Sequence, residues 1–330
     1  MTTFQFDAYG ANKTESSDRP QVDWAAMNKH IVETVQCENE EVLVGVISGI
    51  YDLGIQEQKP GEYVFEGNAD DEQQEILTNP TCHFETRERF YDNGKWLENV
   101  RIKVVPKKDA QSVAFAVDFP DVIVDKGQFF GESNPLPYRM LLGGEFVLKG
   151  GTAIVAAPQA LTIRKNDKTG NQWSMMPNST IYKMAVGAKL VKPGEPFLPE
   201  RLGELLGKAL QFKIRVGFND AGYLQEKCAF AAGLGRGQAA PQFDESILHG
   251  ITFNRANDPN ALKQLRKSVK NTIQRAKNYE GSVIAGELGA VEPAQAAPES
   301  VATQGNTSVA PAAQNAPKAA VEASGGFDDF

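Results

Sequence analysis

The feature that most limits what this 330-residue chain can fold into is a long C-terminal stretch of small and polar residues. From about Ala290 to Ser324 it consists mainly of Ala, Pro, Gln, Ser, Thr, Val and Asn. Such a stretch buries too little apolar surface to offset the chain entropy lost on folding. The sequence therefore predicts a disordered linker within 285–330, and the folded core has to come from the residues that precede it.

The linker is followed by a short peptide that combines aromatic rings with carboxylates. A flexible tether carrying such a peptide suits capture by another protein, whose apolar pocket takes a ring while Arg or Lys meets the acids. The alternative is a frayed, solubilising tail, as most disordered ends are. Because solubility requires no aromatic residue here, we favour a partner-binding tip. Its residues are Phe327, Asp328, Asp329 and Phe330.

The net charge of −8 conceals a strong asymmetry along the chain. Residues 1–99 carry 20 acidic and 7 basic side chains, which gives −13. Residues 100–284 carry 16 and 26, which gives +10, and residues 285–330 carry 6 and 1, which gives −5. The middle of the chain therefore produces a positive field that is compatible with a polyanionic ligand.

The sequence contains no recognisable catalytic or metal-binding motif. Its three cysteines and three histidines lack the spacing of zinc ligands or of a nucleophile with its base. Asp118, Asp121 and Asp125 do not all share one face of a strand. We therefore predict a non-enzyme without cofactor or metal. The absence of a signal pattern in the first ten residues and of any apolar run near ~20 residues favours a cytoplasmic protein.

Periodicity predicts a β-rich α+β fold. Apolar, β-branched runs predict strands at 42–51 and 112–124, and the alternation that begins at Phe212 predicts a hairpin that turns at 219–222. A helix is expected to start after the N-cap Asp23, and another at 179–190. Several strands with basic faces and peripheral helices are typical of a small OB-like β-barrel.

A final helix is predicted from Pro259 to Lys277, behind the N-cap Asp258. An apolar stripe faces the core, and a basic stripe lies beside it at helical spacing. The basic stripe is either an ordinary solvated face or a contact for phosphates, which clustered Lys and Arg bind. The candidates on this stripe are Lys263, Arg266, Lys267 and Lys270.

Further cations and rings fit the way in which single strands are held, with phosphates on cations and bases stacked on aromatic side chains. Each ring has the alternative role of core packing. The glycine-rich loop 233–237 lacks the lysine of a nucleotide-binding loop and is interpreted as a flexible carrier of one arginine. The candidates are Arg101, Lys103, Lys107, Lys108, Lys213, Arg215 and Arg236 as cations and Phe129, Phe130, Trp173 and Tyr223 as stacking rings.

Two segments resemble a known family. The tip after its Ala/Pro/Gln linker is similar to the C-terminus of bacterial and phage single-stranded DNA-binding proteins. The run Asn178-Ser179-Thr180-Ile181-Tyr182-Lys183, the segment 204–213 and the hairpin through Gly222-Tyr223 resemble the OB-like domain of bacteriophage single-stranded DNA-binding and recombination-associated proteins. The resemblance implies a protein that coats single-stranded DNA without sequence preference and recruits replication or recombination proteins through the tip, in the cytoplasm of an infected bacterium.

Two alternatives stay open: a recombination mediator or strand-annealing protein, and a structural or assembly protein without DNA binding. The predicted organisation is a flexible arm at 1–21, an acidic α/β region at 22–99 packed on the core, an OB-like single-stranded DNA-binding core at 100–284 with its basic helix, and the linker with its tip at 285–330.

Overall fold

The computed structural model describes residues 22–290 except 93, 149, 150, 167–171 and 221, so the predicted arm, the linker after 290 and the tip lie outside it. The strands are β1 (Glu41–Gln56), β2 (Gly61–Val64), β3 (His83–Asp92), β4 (Lys95–Val105), β5 (Ala110–Asp125), β6 (Pro135–Leu141), β7 (Glu145–Val147), β8 (Ala153–Val155), β9 (Gln159–Ala160), β10 (Ile163–Asn166), β11 (Gln172–Met175), β12 (Ala209–Phe218), β13 (Leu224–Ala232) and β14 (His249–Ile251). The α-helices are α1 (Trp24–Val35), α2 (Ala69–Thr78), α3 (Thr180–Gly187), α4 (Pro259–Lys263), α5 (Lys267–Gln274) and α6 (Val283–Ala290), and short 3-10 helices span Gly127–Phe130, Pro199–Leu205 and Glu245–Ile247.

The main sheet has the strand order β13-β12-β1-β5-β6, and each neighbouring pair along this path is antiparallel. The short strands β14 and β9 extend it by pairing with β1 and β5. At Gly45 the backbone of β1 lies close against a side chain of β5. A Cβ at this position would lie only 2.5 Å from Val117 Cγ1, so the absence of a side chain permits the contact. The strands predicted at 42–51 and 112–124 are therefore confirmed as β1 and β5, and the predicted hairpin is confirmed as β12–β13.

The two outer strands of the main sheet, β6 and β13, approach each other. Four antiparallel steps separate them, so they run in the same direction. The backbone N–H of Gly143 donates to the carbonyl of Cys228 at 2.8 Å, and the Tyr138 hydroxyl donates to the Glu226 carboxylate. No ladder joins these strands within the described part of the chain. The β-rich α+β fold is confirmed, whereas the sheet is curled without forming a closed barrel.

One face of the main sheet packs against α1, α3 and the 3-10 helix Pro199–Leu205. Strand alternation places Phe115, Val117 and Phe119 of β5 on this face, where they are fully buried. The predicted helix start is confirmed: Asp23 accepts a hydrogen bond from the Ala26 N–H at 2.9 Å. The buried residues of α1 are Met27, Asn28, Ile31, Val32 and Val35.

The opposite face of the sheet is covered by α4, α5 and α6. Ala114 and Ala116 of β5 point to this side, and their small side chains belong to the same core as Leu262, Val269 and Ile273. The helix predicted from Pro259 to Lys277 is therefore interrupted. The backbone is extended at Arg266, with φ −62° and ψ 149°, between α4 and α5.

This interruption turns the Arg266 side chain toward the sheet. Its guanidinium forms an ion pair with Glu145 at 2.9 Å and donates to the backbone carbonyl of Arg139. A continuous helix would place Arg266 beside Lys263 and Lys270 on one stripe. The prediction of an uninterrupted basic stripe is wrong, because the helix breaks at Arg266 and the partly buried Glu145 carboxylate pairs with its side chain.

The part of the sequence between β1 and β5 forms helix α2 and a second sheet, whose strand order is β2-β4-β3. Helix α2 begins with a capping box between Asn68 and Asp71. Strand β4 spans Lys95–Val105, so the boundary expected between 99 and 100 falls inside a strand. The acidic region 22–99 also supplies β1, the central strand of the main sheet.

Candidate nucleic-acid interface

The cations predicted on β4 are held by the acidic helix α2. Arg101 donates to both carboxylate oxygens of Glu72, at 2.6 and 2.8 Å, and Lys103 pairs with Glu75 at 2.6 Å. The hydrogen bond from Arg101 is the main reason why the pKa of Glu72 lies below its usual value. These two cations therefore face a carboxylate-bearing helix. Lys107 and Lys108 are exposed in the segment that follows β4.

Phe129 and Phe130 are not presented to solvent as a stacking surface. Both lie in the 3-10 helix Gly127–Phe130 and pack against the core of the α1 side. Phe130 meets the edge of Trp24 with ring centroids 5.9 Å apart, and Phe129 lies 5.6 Å from the ring of His30. Phe129 and Phe130 therefore take the alternative role of packing against the core.

Trp173 is presented to solvent on the β10–β11 hairpin. About half of its surface, 52%, is exposed. Lys165 lies directly opposite it in the strand register, and the ammonium group sits 5.7 Å from the centre of its ring. A cation beside an exposed indole is the combination that holds a base and its phosphate.

The β12–β13 hairpin brings three predicted residues onto one element. Lys213 and Arg215 point away from the core on β12, and Tyr223 lies at the turn with 42% of its surface exposed. The hairpin adds two residues that the sequence reasoning did not select. Lys227 lies directly opposite Arg215, and Phe218 is exposed at the end of β12.

The remaining predicted cations are distributed over other elements. Lys263 and Lys267 are exposed at the end of α4 and the start of α5, and Lys270 is half-buried. Arg236 is exposed in the loop after β13. The structure therefore places an exposed pair near the break between α4 and α5, while Arg266 lies between them with its side chain turned inward.

The tip of the β3–β4 hairpin carries an aromatic pair that the sequence reasoning missed. Tyr91 and Trp96 are directly opposite in register, 42% and 52% exposed, with ring centroids 5.2 Å apart. The Arg89 guanidinium lies 4.9 Å from the centre of the Trp96 ring. The signal for this site was the segment Asp92-Asn93-Gly94, a hairpin turn sequence flanked by Tyr91 and Trp96.

Exposed aromatic rings thus concentrate on hairpins in the described part of the chain. Three hairpins, β3–β4, β10–β11 and β12–β13, each combine at least one such ring with Arg or Lys on the same hairpin. Phe146 of β7 and Tyr63 of β2 are also exposed. Rings left in water lose the stabilisation of burial, and it is exposed apolar residues grouped into a patch, not scattered ones, that mark interaction surfaces in proteins.

Among the described residues, no group of three or more His, Cys, Asp or Glu side chains is arranged to hold a metal ion. Within the same residues, none of the helices has the length and apolar composition needed to cross a bilayer. Comparisons of the chain with protein-family models, with curated proteins and with solved structures found no match. The functional interpretation therefore depends on the exposed rings and cations of the described residues.

Proposed function

We propose that this chain is a non-enzymatic protein that binds single-stranded DNA without sequence preference, coating and protecting it during phage DNA replication and recombination. The observation that carries the proposal is the set of exposed aromatic rings, with cations beside them, on the β3–β4, β10–β11 and β12–β13 hairpins. Bases of any identity stack on such rings while Lys and Arg neutralise phosphates.

The order of the strands supports the proposal. Counted along the chain, the five strands on the main path of the large sheet, β1, β5, β6, β12 and β13, line up as 5-4-1-2-3, and strands 3 and 5 approach in parallel. An OB fold is a five-stranded, partly open Greek-key barrel that binds oligonucleotides with the connections between strands 1 and 2 and between strands 4 and 5. The β3–β4 hairpin lies in the first of these connections, and Tyr223 lies in the second.

The covered face of the sheet restricts the path of the strand. OB folds also bind ligands on the outer face of strands 2 and 3. Here Ala116 of β5 and Leu141 of β6 belong to the core formed with α4 and α5. The bound strand in our proposal therefore runs over the tips of the hairpins instead of this face.

The C-terminal tip Phe327–Phe330, which we propose as the site for replication or recombination proteins, lies outside the described residues.

The proposal is tested by measuring affinity for single-stranded oligonucleotides of equal length, with duplex controls and varied salt. Log affinity should fall linearly with log salt, with a slope of about −0.7 per neutralised phosphate. Homopolymers should differ modestly, because stacking tolerates every base. Equal binding of duplex, or a response that does not depend on salt, would overturn the proposal.

A ring-specific variant sharpens this test. Trp96→Ala should weaken binding by about tenfold, because one stacked base contributes about 1–3 kcal/mol. Tyr63→Ala is the matched control, since Tyr63 is as exposed, at 57%, but lies on β2 away from the hairpin turn. Equal affinities of the two variants would show that the β3–β4 tip contributes nothing to binding.

A further inference from the structure

A groove of about 270 Å³ lies on the outer face of the β12–β13 hairpin. One wall is the segment that connects α1 to β1, and the floor is the side of the hairpin that points away from the core. Three cations converge on this volume. The lining residues are Glu38, Asn39, Glu40, Lys213, Ile214, Arg215, Lys227 and Ala229.

The cations of the groove are held close to one another by the strand register. Arg215 of β12 and Lys227 of β13 are directly opposite, and Lys213 points to the same side two residues earlier. A guanidinium offers a phosphate two parallel hydrogen-bond donors, and the ammonium groups beside it add positive charge.

The wall of the groove carries two carboxylates, Glu38 and Glu40. The Glu40 carboxylate lies 3.0 Å from the Lys213 ammonium, and both side chains are more than one third exposed. Exposed pairs of this kind are readily exchanged. The wall itself is anchored through the backbone, because the Cys37 carbonyl accepts from the Val216 N–H at 2.8 Å and the Glu38 carbonyl accepts from Arg215 Nε at 3.1 Å. The Glu40 side chain can therefore swing away while the groove keeps its shape.

We propose that this groove binds one phosphate group of the DNA backbone between Arg215 and Lys227, with Lys213 exchanging Glu40 for the phosphate. The inference rests on the proposed function and adds a phosphate subsite with an internal competitor. Tyr223 at the turn of the same hairpin then stacks a nearby base of the strand. Glu40 lowers the affinity, since every bound phosphate has to displace it.

The test measures the affinity of the full chain for an oligothymidylate over a range of salt. Arg215→Gln with Lys227→Gln should weaken binding roughly tenfold or more, because charge-assisted hydrogen bonds are lost. It should also flatten the salt slope by about 0.7, the contribution of one phosphate. Lys29→Gln with Lys183→Gln is the control, since it makes the same charge change at exposed positions on α1 and α3.

Glu40→Gln tests the competitor separately. It should raise affinity about two- to fivefold at low salt, and the gain should shrink as salt screens the Glu40–Lys213 pair. An unchanged affinity would overturn the role of Glu40. If the Arg215/Lys227 variant behaves like the Lys29/Lys183 control while the parent binds DNA, the groove is not a phosphate site and the proposed function stands.

Thymidine 5′-phosphate, titrated by calorimetry, separates the two possible sources of the phosphate. Binding of this nucleotide that depends on Arg215 and Lys227, without binding of the oligonucleotide, would overturn the proposed function and support the groove as a phosphate site. A parent protein that binds neither probe would overturn both. Oligonucleotide binding that is lost in the Arg215/Lys227 variant, with weak nucleotide binding, supports the strand as the ligand.

Discussion

Asp118 and Arg139 show at the residue scale how a charge is kept inside this molecule. They face each other across β5 and β6, and two hydrogen bonds of 2.7 and 2.8 Å join the guanidinium to the carboxylate. The Asp118 side chain is 2% exposed. Removing one member of such a pair leaves the other charge buried without compensation.

Asp118→Asn should therefore lower the free energy of unfolding by about 3–5 kcal/mol. Asp121→Asn, three residues along the same strand at an exposed position, should change it by less than about 0.5 kcal/mol. Urea unfolding of both variants checks the prediction. Similar free energies of unfolding for the two variants would mean that water solvates the Arg139 guanidinium once the Asp118 carboxylate is removed.

His249 couples the stability of the fold to pH. Its Nδ1–H faces the Ile247 carbonyl at 2.8 Å, and its Nε2 lies 2.7 Å from the Tyr51 hydroxyl, which suits a neutral ring that accepts from the tyrosine. Burial lowers the pKa of His249 and is the largest of several effects on that pKa. Because the unfolded chain binds a proton at this histidine more readily than the folded chain does, the neutral buried His249 adds to the free energy of unfolding above the unfolded pKa of about 6.5. This added stability is lost as pH falls below that value.

We expect the free energy of unfolding to decrease as pH is lowered through this window. His249→Gln should remove that part of the decrease, whereas His83→Gln, at an exposed position, should retain it. Denaturation series at pH 7.5 and 5.5 measure the difference between the two variants. Parallel pH dependences would exclude His249 as the titrating group.

At the scale of single elements, β1 depends on glycines where it bends. The register between β1 and β5 shifts between Asp52 and Ile55, and Gly54 at this bulge has φ +72°. A Cβ on Gly54 would lie 2.4 Å from the Phe253 ring of the core beneath α4 and α5. The bulge therefore needs both a left-handed backbone and the absence of a side chain.

A pair of alanine variants separates these two requirements. Gly94→Ala, at φ +79° with no atom within 4 Å of the added Cβ, should cost about 1–2 kcal/mol of stability for the backbone alone. Gly54→Ala should cost about 1–3 kcal/mol more, because Phe253 has to move. Thermal unfolding compares them, and equal costs would show that the core yields without strain.

At the scale of the whole molecule, the three thiols report on global opening. Cys37, Cys82 and Cys228 are free and buried. Burial raises the pKa of Cys37 to about 11, with Glu41 as a smaller cause, and burial raises the pKa of Cys228 further. Because all three side chains are buried, and the reactive thiolate is also disfavoured at Cys37 and Cys228, all three should resist alkylation at pH 8 in the native state and react at the rate of unfolding in urea. Fast labelling of one thiol without denaturant would reveal a local opening.

Local patterns of the sequence predicted much of this architecture. The cap at Asp23, the apolar run of β5, the alternation of β12 and the turn near Gly222 depend on backbone geometry and on neighbours a few residues away. The sequence reasoning missed the continuation of β1 to Gln56, because Gly54 interrupts the apolar pattern there. It also missed the Tyr91–Trp96 pair, since exposure of a ring is a property of the folded surface.

By itself, the sequence determined the β-rich character of the core, the start of α1, the approximate extent of β5 and the positive charge of the central region, because periodicity and capping act over short distances. Only the tertiary structure decided which cations face solvent. Arg101 meets Glu72 from 29 positions away, and Arg266 meets Glu145 from 121 positions away. No local pattern encodes such pairs, since the packing of α2 against β4 and the break between α4 and α5 bring the charges together.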